Sequence, residues 1–536
     1  MSDAGPNFRV TDDDGVAVVL FDMPGRSMNV VDEAVVTELA HVIGRALADP
    51  AVVGIVLASG KERSFGGGAD LTVLPAMACD PVGLDAFLTR VHDLMLAMAH
   101  SHKPIVAAID GFALGGAFEL TLGASTIVTT DRAIVGLPEA TLGLLPAGAG
   151  TQLYLRRLAP DVAAELLIGG RRLAAADALN LGLVDEVFPP EELLGAAITR
   201  ARIGRVDPHP FPTPDPALVE SARAGAARVR RPVSTNAAAA ILDCLERGLT
   251  VGTSAGLAAE RAHFPRVLAG DESAALIHLF HVETAAKRRY RGAASAPERL
   301  GVVGGGQMGA GIASTAVAHG LPAVVRDIDP ERLDQARERA GQAGPHAADL
   351  LRTTTEWEGF AAADIVVEAV LELPELKRET LRLIDAQVGA DALITTNTSA
   401  IPVASLAGAV SHPQRFMGTH FFSPVEKMPL LELVPHLGTS EETVARAGGL
   451  GRALGKVPVV VADYPGFYTS RVYARWLIEG LRLLADGADP AAIDSEAKAI
   501  GFPVGPLQAC DEVTLELVRD ASVVQVAQRV FLDRLD

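Results

Sequence analysis

A glycine cluster in the middle of the chain sets the tightest limit on what this sequence can fold into. From Arg299 to Ser314 it reads "RLGVVGGGQMGAGIAS": a short apolar strand, a run of glycines, then a helix of small residues. Such a strand–turn–helix stands close to the start of its own domain, yet about three hundred residues precede it. At 536 residues the chain exceeds one ordinary core, so two to four domains are expected. The first half therefore has to fold on its own account.

Gly304-Gly305-Gly306-Gln307-Met308-Gly309 spells G-x-G-x-x-G. Glycines let the backbone approach a pyrophosphate, and the N-terminus of the following helix stabilises its charge. The next strand, "PAVVRD", ends at Asp327, about twenty residues on, where an acid can accept from both ribose hydroxyls. Asp327 would also repel a 2′-phosphate, so NAD is predicted over NADP, although Arg326 beside it pulls the other way.

Composition narrows the class. The formal charge of −19, from 47 basic and 66 acidic residues, argues against non-specific nucleic acid and membrane-surface binding. It still permits a local site for a polyanionic small ligand. Cys79, Cys244 and Cys510 lie far apart and show no metal-ligand spacing; they read as reduced, buried thiols, and no metal site is predicted. The N-terminus "MSDAGPNFRVTDDDG" lacks a signal core and a transit pattern, so a cytoplasmic location is expected. The apolar stretch "GFALGGAFELTLGASTIV" carries Glu119 and many glycines, which favours a buried helix over a membrane span.

Along the chain, "VAVVLFD", "VVGIVLASG", "PIVAAIDG" and "STIVTTD" alternate with helical-period segments from Gly15 to about Val187, the mark of a layered α/β fold. "VDPHPFPTPDP" then reads as a stiff extended connector, and Ala217 to Tyr290 as helical throughout. A second α/β pattern runs to "KVPVVVAD", and Pro465-Gly466 punctuates a final helical stretch. The expected division is 1–189, 190–297, 298–464 and 465–536.

Both halves hold groups suited to proton transfer. His420 sits in an apolar strand-like run, and Glu432 follows twelve positions later on another. An acid behind a histidine fixes its tautomer and stabilises the imidazolium, which suits general-base work. In the first half, "SFGGGADL" turns through glycines at Ala69, and "DGFALGGAFEL" places Gly115-Gly116 at a helix start. Backbone N–H groups freed at a turn and at a helix N-terminus can point at one oxygen, as a thioester enolate requires. Glu119 stands about one turn into that helix, and Glu139 lies in "VGLPEATLGLLP". Carboxyls in such apolar settings are expected to hold raised pKa values.

Arg299 to about Pro506 resembles the L-3-hydroxyacyl-CoA dehydrogenases, through "GGGQMG", "VVEAVLE", "NTSA", "GTHFFSPV" and "PGFYTSR" in order. The resemblance implies a Rossmann NAD-binding domain with a helical C-terminal domain. It gives His420 the substrate's 3-hydroxyl proton, Glu432 the task of orienting His420, and Ser399 a hydrogen bond to the substrate oxygen. Gly304, Gly306, Met308, Gly309, Asp327, Glu372, Lys377 and Asn397 would face the cofactor. Ser423 and Ser470 stand where that family often has asparagine.

About Val10 to Pro189 resembles the enoyl-CoA hydratase/isomerase (crotonase) family, through the "GAD" turn, "ALGGAFEL" and "LPEATLGLLPAGAGTQ". This implies a crotonase-type ββα spiral, backbone donors at Ala69 and Gly116, and catalytic acids at Glu119 and Glu139. Both acids being present favours hydration. Ala117 replaces a frequent third glycine.

The two resemblances occur in the order of the multifunctional α-subunits of fatty-acid β-oxidation, whose linker the segment Ala217–Tyr290 also resembles. The function implied is hydration of trans-2-enoyl-CoA to L-3-hydroxyacyl-CoA, followed by NAD-dependent oxidation to 3-oxoacyl-CoA. Two alternatives are a hydratase with an idle NAD-binding half, and an assembly subunit that docks a thiolase. The multifunctional relatives carry two helical C-terminal repeats, whereas the stretch ending at Asp536 fits part of one. Val513, Leu517, Val524 and Phe531 there should want a partner surface, so dehydrogenation is expected to be slow or to depend on self-association or a second polypeptide.

Overall fold

The computed structural model describes residues 5–203, 209–230, 233–290, 292 and 297–513. Two compact units divide the chain, Met1–Phe280 and His281–Asp536.

In the first unit, a six-stranded sheet takes the order Phe8–Asp13, Val16–Phe21, Gly54–Ser59, Ile105–Ile109, Thr126–Thr130, Glu186–Phe188. Its first pair is antiparallel and the rest are parallel. Parallel strands covered on both faces need apolar side chains on both, and Ile105–Ile109 is buried at every position. A smaller sheet holds Ser64–Gly66, Phe112–Leu114, Ile134–Gly136 and Leu173–Ala174. Three times the chain leaves a strand of the large sheet, adds a short strand to the small one, and then enters a helical segment. That repeat is a ββα spiral.

The segment read as a linker helps build this unit. Helices Thr235–Thr250 and Thr253–Leu268 start at Ser234, whose hydroxyl caps Ala237 N–H, and at Gly252. Their Ile241, Leu245 and Leu257 join the same core as the sheet residues Val19, Ile55 and Ile109. Helix Gly116–Leu122, from the stretch that approached spanning length, is a seven-residue buried element. Among the described residues no helix is long and apolar enough to cross a membrane. Cys79 departs from the expectation of burial: it ends the short surface helix Leu74–Ala78 and is exposed, while Cys244 and Cys510 are buried.

The second unit is built on an eight-stranded sheet in the order Leu351–Thr354, Ala323–Arg326, Leu300–Val303, Ile365–Glu368, Leu393–Thr396, Phe416–Phe421, Leu430–Val434, Val457–Val460. The first six are parallel, and Leu430–Val434 then runs antiparallel to Phe416–Phe421. Strand order reverses between Leu300–Val303 and Ile365–Glu368, which opens a crevice at their carboxyl ends. Helices Thr469–Ala485, Pro490–Ala499 and Pro506–Val513 follow, with a small core of Leu477, Leu481, Ala509 and Cys510. Leu517, Val524 and Phe531 lie outside the described residues, as does the side chain of Val513.

Candidate active sites

In the first unit the backbone does the first part of the work. Val31 N–H donates to Gly68 O at 2.8 Å, and Asp70 N–H donates to Val31 O at 3.1 Å. Because alternate peptides of an extended chain face opposite ways, this bridge turns the N–H of Ala69 away from Val31. Gly116 begins its helix, so its N–H is one of the donors that no intrahelical carbonyl can satisfy. Among the described residues neither N–H has a hydrogen-bond partner. A β-carbon placed on Gly116 would lie 3.5 Å from Ala69 N and 3.8 Å from Glu119 Oε2, so both donors and one acid converge on the same space. Gly115 makes the turn possible: its φ is +54°, and a β-carbon there would stand 2.8 Å from Glu139 Oε1.

The two carboxyls meet over a cavity of about 340 Å³ whose walls include Leu74, Leu88, Leu142 and Leu145. Glu119 Oε1 accepts from Gly148 N–H and Gly150 N–H, each at 2.8 Å. Glu139 opens the short 3₁₀ turn Glu139–Leu142, and its Oε2 is buried without a hydrogen bond. Burial pushes the Glu119 carboxyl well above its ordinary value, and the negative charges of Glu139 and Glu260 add to the push. Burial likewise raises Glu139 to about 7. Two carboxyls in one largely apolar pocket cannot both ionise cheaply, so near neutrality the pair retains a proton that one group can give and the other can take. Of the nearby cations, Lys61 is bound to Asp22 at 2.7 Å, and Lys103 caps a helix end through Ala46 O and Asp49 O.

In the second unit the glycine turn lies between strand Leu300–Val303 and helix Gln307–Ala318. Its tightness is steric: a β-carbon on Gly309 would fall 1.8 Å from Gly304 O, whereas one on Gly306 would meet nothing within 4 Å. Met308 and Gly309 lie in the first helical turn. Asp327, at the end of the neighbouring strand, accepts from Gly305 N–H at 2.6 Å, which sets its carboxyl against the turn. Arg326 is spent elsewhere, with its guanidinium 4.3 Å from the centre of the Trp357 ring. Arg332, half exposed, lies 4.0 Å from the Asp327 carboxylate, and a glycine cradle with that acid beside it fits NAD.

His420 and Glu432 face each other directly across the antiparallel pair, and Nδ1 lies 2.8 Å from Glu432 Oε2. Glu432 Oε1 accepts from the N–H and the hydroxyl of Thr469, at 2.8 and 2.7 Å. Burial alone would raise Glu432, but the bonds from His420 and Thr469 outweigh it and hold the carboxyl below its ordinary range. With Nδ1 bonded to a carboxylate, Nε2 is the atom left to accept a proton, and among the described residues it has no hydrogen-bond partner. Phe422 and Phe467 flank the ring at 4.4 and 5.7 Å between centroids.

The remaining candidates gather around Glu372. Its Oε1 accepts from Ser399 N–H at 2.8 Å, Ala400 N–H at 3.1 Å and the Thr398 hydroxyl at 2.5 Å. The Ser399 hydroxyl also reaches it, at 3.3 Å. Lys377 has no exposed surface: it stands behind Glu372 at 3.4 Å and donates to Glu368 at 3.0 and 3.1 Å. Asn397 ties two strands, its side-chain oxygen accepting from Phe421 N–H at 2.9 Å. Glu368, Thr398 and Thr469 are further working parts of this site, each inside a motif already quoted: "VVEAVLE", "NTSA" and "PGFYTSR".

Residues 11–204 match the enoyl-CoA hydratase/isomerase family, 299–464 the NAD binding domain of 3-hydroxyacyl-CoA dehydrogenase, and 466–534 its C-terminal domain. The fatty acid oxidation complex subunit alpha of Shewanella baltica is 34% identical over 540 residues, covering 94% of this chain and 76% of its own length. That of Shewanella amazonensis is 35% identical over 537 residues with the same coverage. The chain belongs to the fatty acid oxidation complex α-subunit family. Among solved structures, the (S)-3-hydroxybutyryl-CoA dehydrogenase of Ralstonia eutropha is similar at 32% identity and a TM-score of 0.41, covering 45% of this chain and 89% of that one. The chain is a bifunctional enzyme of β-oxidation, with an enoyl-CoA hydratase half and an NAD-dependent 3-hydroxyacyl-CoA dehydrogenase half.

Proposed function

We propose a specific division of labour. In the first unit Glu119 and Glu139 hold one water between them. One carboxylate takes a proton from that water as its oxygen adds to C3 of the enoyl thioester, and the other carboxyl delivers a proton to C2. The N–H groups of Ala69 and Gly116 carry the enolate oxygen, each worth on the order of 3 kcal/mol of barrier in related chemistry. The convergence of these two donors and Glu119 on one point carries this part of the reading.

In the second unit His420 Nε2 takes the proton of the 3-hydroxyl, and Glu432 stabilises the imidazolium that forms. Gly304, Gly306, Met308 and Gly309 would hold the pyrophosphate and Asp327 the ribose of NAD, which would supply the hydride acceptor for C3. Ser399 would bond the substrate oxygen. Glu372 lines the nicotinamide side, while Lys377 and Asn397 act from behind, by fixing Glu372 and the strand that carries His420. The proposed boundaries are 1–189, 190–297, 298–464 and 465–536, and the proposed compartment is the cytoplasm. Docking of a thiolase or self-association is proposed from exposed Tyr468, Val472 and Leu483 near and along helix Thr469–Ala485.

Crotonyl-CoA tests the series. The purified protein is expected to consume its enoyl absorbance without NAD and to form NADH when NAD is added. Loss of absorbance without NADH would leave a hydratase alone, and neither signal would leave an assembly subunit.

A further inference from the structure

The segment Ala147–Thr151 gives Glu119 its hydrogen bonds, yet it is not at ease by itself. Ala149 has φ +75°, a left-handed conformation that is strained for an alanine and persists only where neighbours hold it. On either side, β-carbons on Gly148 and Gly150 would lie 2.6 and 2.5 Å from Glu119 oxygens, so a small displacement of this loop is felt at the carboxyl.

What holds the loop comes from the helical segment after the spiral. Glu260, on helix Thr253–Leu268, has no exposed surface. Its Oε2 accepts from Ala149 N–H at 3.0 Å, and its Oε1 from Thr151 N–H at 3.1 Å and from the Thr151 hydroxyl. His92 Nε2 lies 3.0 Å from Glu260 Oε2 and 2.8 Å from Ala147 O, while its Nδ1 receives the Arg261 guanidinium at 3.0 Å. With Nδ1 accepting, Nε2 carries the hydrogen and donates to both oxygens. Four donors converge on this buried carboxyl, and three of its bonds fall on the strained alanine and the threonine two residues on.

We infer that Glu260 is a positioning residue of the hydratase: it clamps Ala149 and Thr151 so that Gly148 and Gly150 hold Glu119 in line. Glu260 does not line the cavity that holds Glu119 and Glu139. The helical segment, in this view, completes the hydratase site as well as connecting the halves. The inference rests on the reading of Glu119 as a hydration acid.

The test measures kcat and KM for crotonyl-CoA hydration in the full-length chain, with oxidation of L-3-hydroxybutyryl-CoA by the same preparation as the control. Glu260→Gln is expected to lower hydration kcat at least about tenfold, as misplacing a reacting group does, with KM within about twofold and oxidation unchanged. Adding Ala149→Gly, which removes the left-handed strain, is expected to recover several-fold of the loss. Thr151→Val removes one clamp bond while nearly keeping shape, and is expected to lower kcat about threefold or more; it decides the matter if Glu260→Gln does not fold. Unchanged hydration in Glu260→Gln or, failing that, in Thr151→Val overturns the inference, as does an equal fall of both activities. Glu119→Gln separates the two layers: if it still hydrates, the underlying reading fails, and if it is inactive while Glu260→Gln is not, only the clamp fails.

Discussion

Glu139 and Glu432 are the same residue type put to opposite uses, and their surroundings account for the difference. Glu139 has a buried oxygen with no donor and a pKa pushed up to about 7. Glu432 is also buried, but His420 and both groups of Thr469 bond to it and hold it below the ordinary range. A carboxyl short of donors keeps a proton it can exchange; one rich in donors becomes a permanent anion. The first kind suits a site that must move protons to and from carbon. The second suits a site where a neighbouring histidine moves the proton and needs only a fixed charge behind it.

The sharpest way to break the comparison is to neutralise each acid. Glu139→Gln keeps shape but cannot exchange a proton, so hydration is expected to fall by roughly a hundredfold or more with oxidation untouched. Retained hydration would remove Glu139 from the chemistry. Glu432→Gln should lower oxidation by about tenfold to a hundredfold, since the partner of a working histidine sets its tautomer and orientation. Hydration by this variant is the control and should match the parent.

A smaller effect sharpens the contrast, through stability against pH. Glu139 has a folded value raised from 4.5, so the stability it contributes is complete below that value and is lost as pH rises through about 7. Glu139→Gln should therefore be more stable than the parent at pH 8, by at most about 3 kcal/mol, and lose that advantage in acid. Glu432 has a lowered folded value, so its contribution is present above the ordinary carboxyl range and is lost as pH falls through the folded value. Glu432→Gln should accordingly be the weaker protein at pH 8 and approach the parent in acid. Thermal unfolding at the two pH values checks both signs, and the same sign for both variants would dissolve the distinction.

Legibility in the sequence followed distance along the chain. The glycine turn and Asp327 could be read because strand, turn and helix are contiguous, and His420 with Glu432 because they lie only twelve positions apart on paired strands. Glu260 could not: it lies 111 positions from Ala149, and an acid in a polar-rich helical stretch looks like solvated surface. Lys377 shows the converse. Its place beside a motif suggested the cofactor, but the strand carrying Glu368 passes beneath it and claims its charge. Periodicity also had no means of showing that the helices after Ser234 would join the core of the spiral.

The central claim is that two separate sites act in series, and mixing variants tests it most directly. Given crotonyl-CoA and NAD, His420→Gln alone should consume the enoyl absorbance and form no NADH, and Glu119→Gln alone should do neither. An equimolar mixture should form NADH, as the hydroxyacyl product released by one variant is oxidised by the other. NADH from either variant alone, or a mixture in which both proteins fold and no NADH appears, would contradict the account.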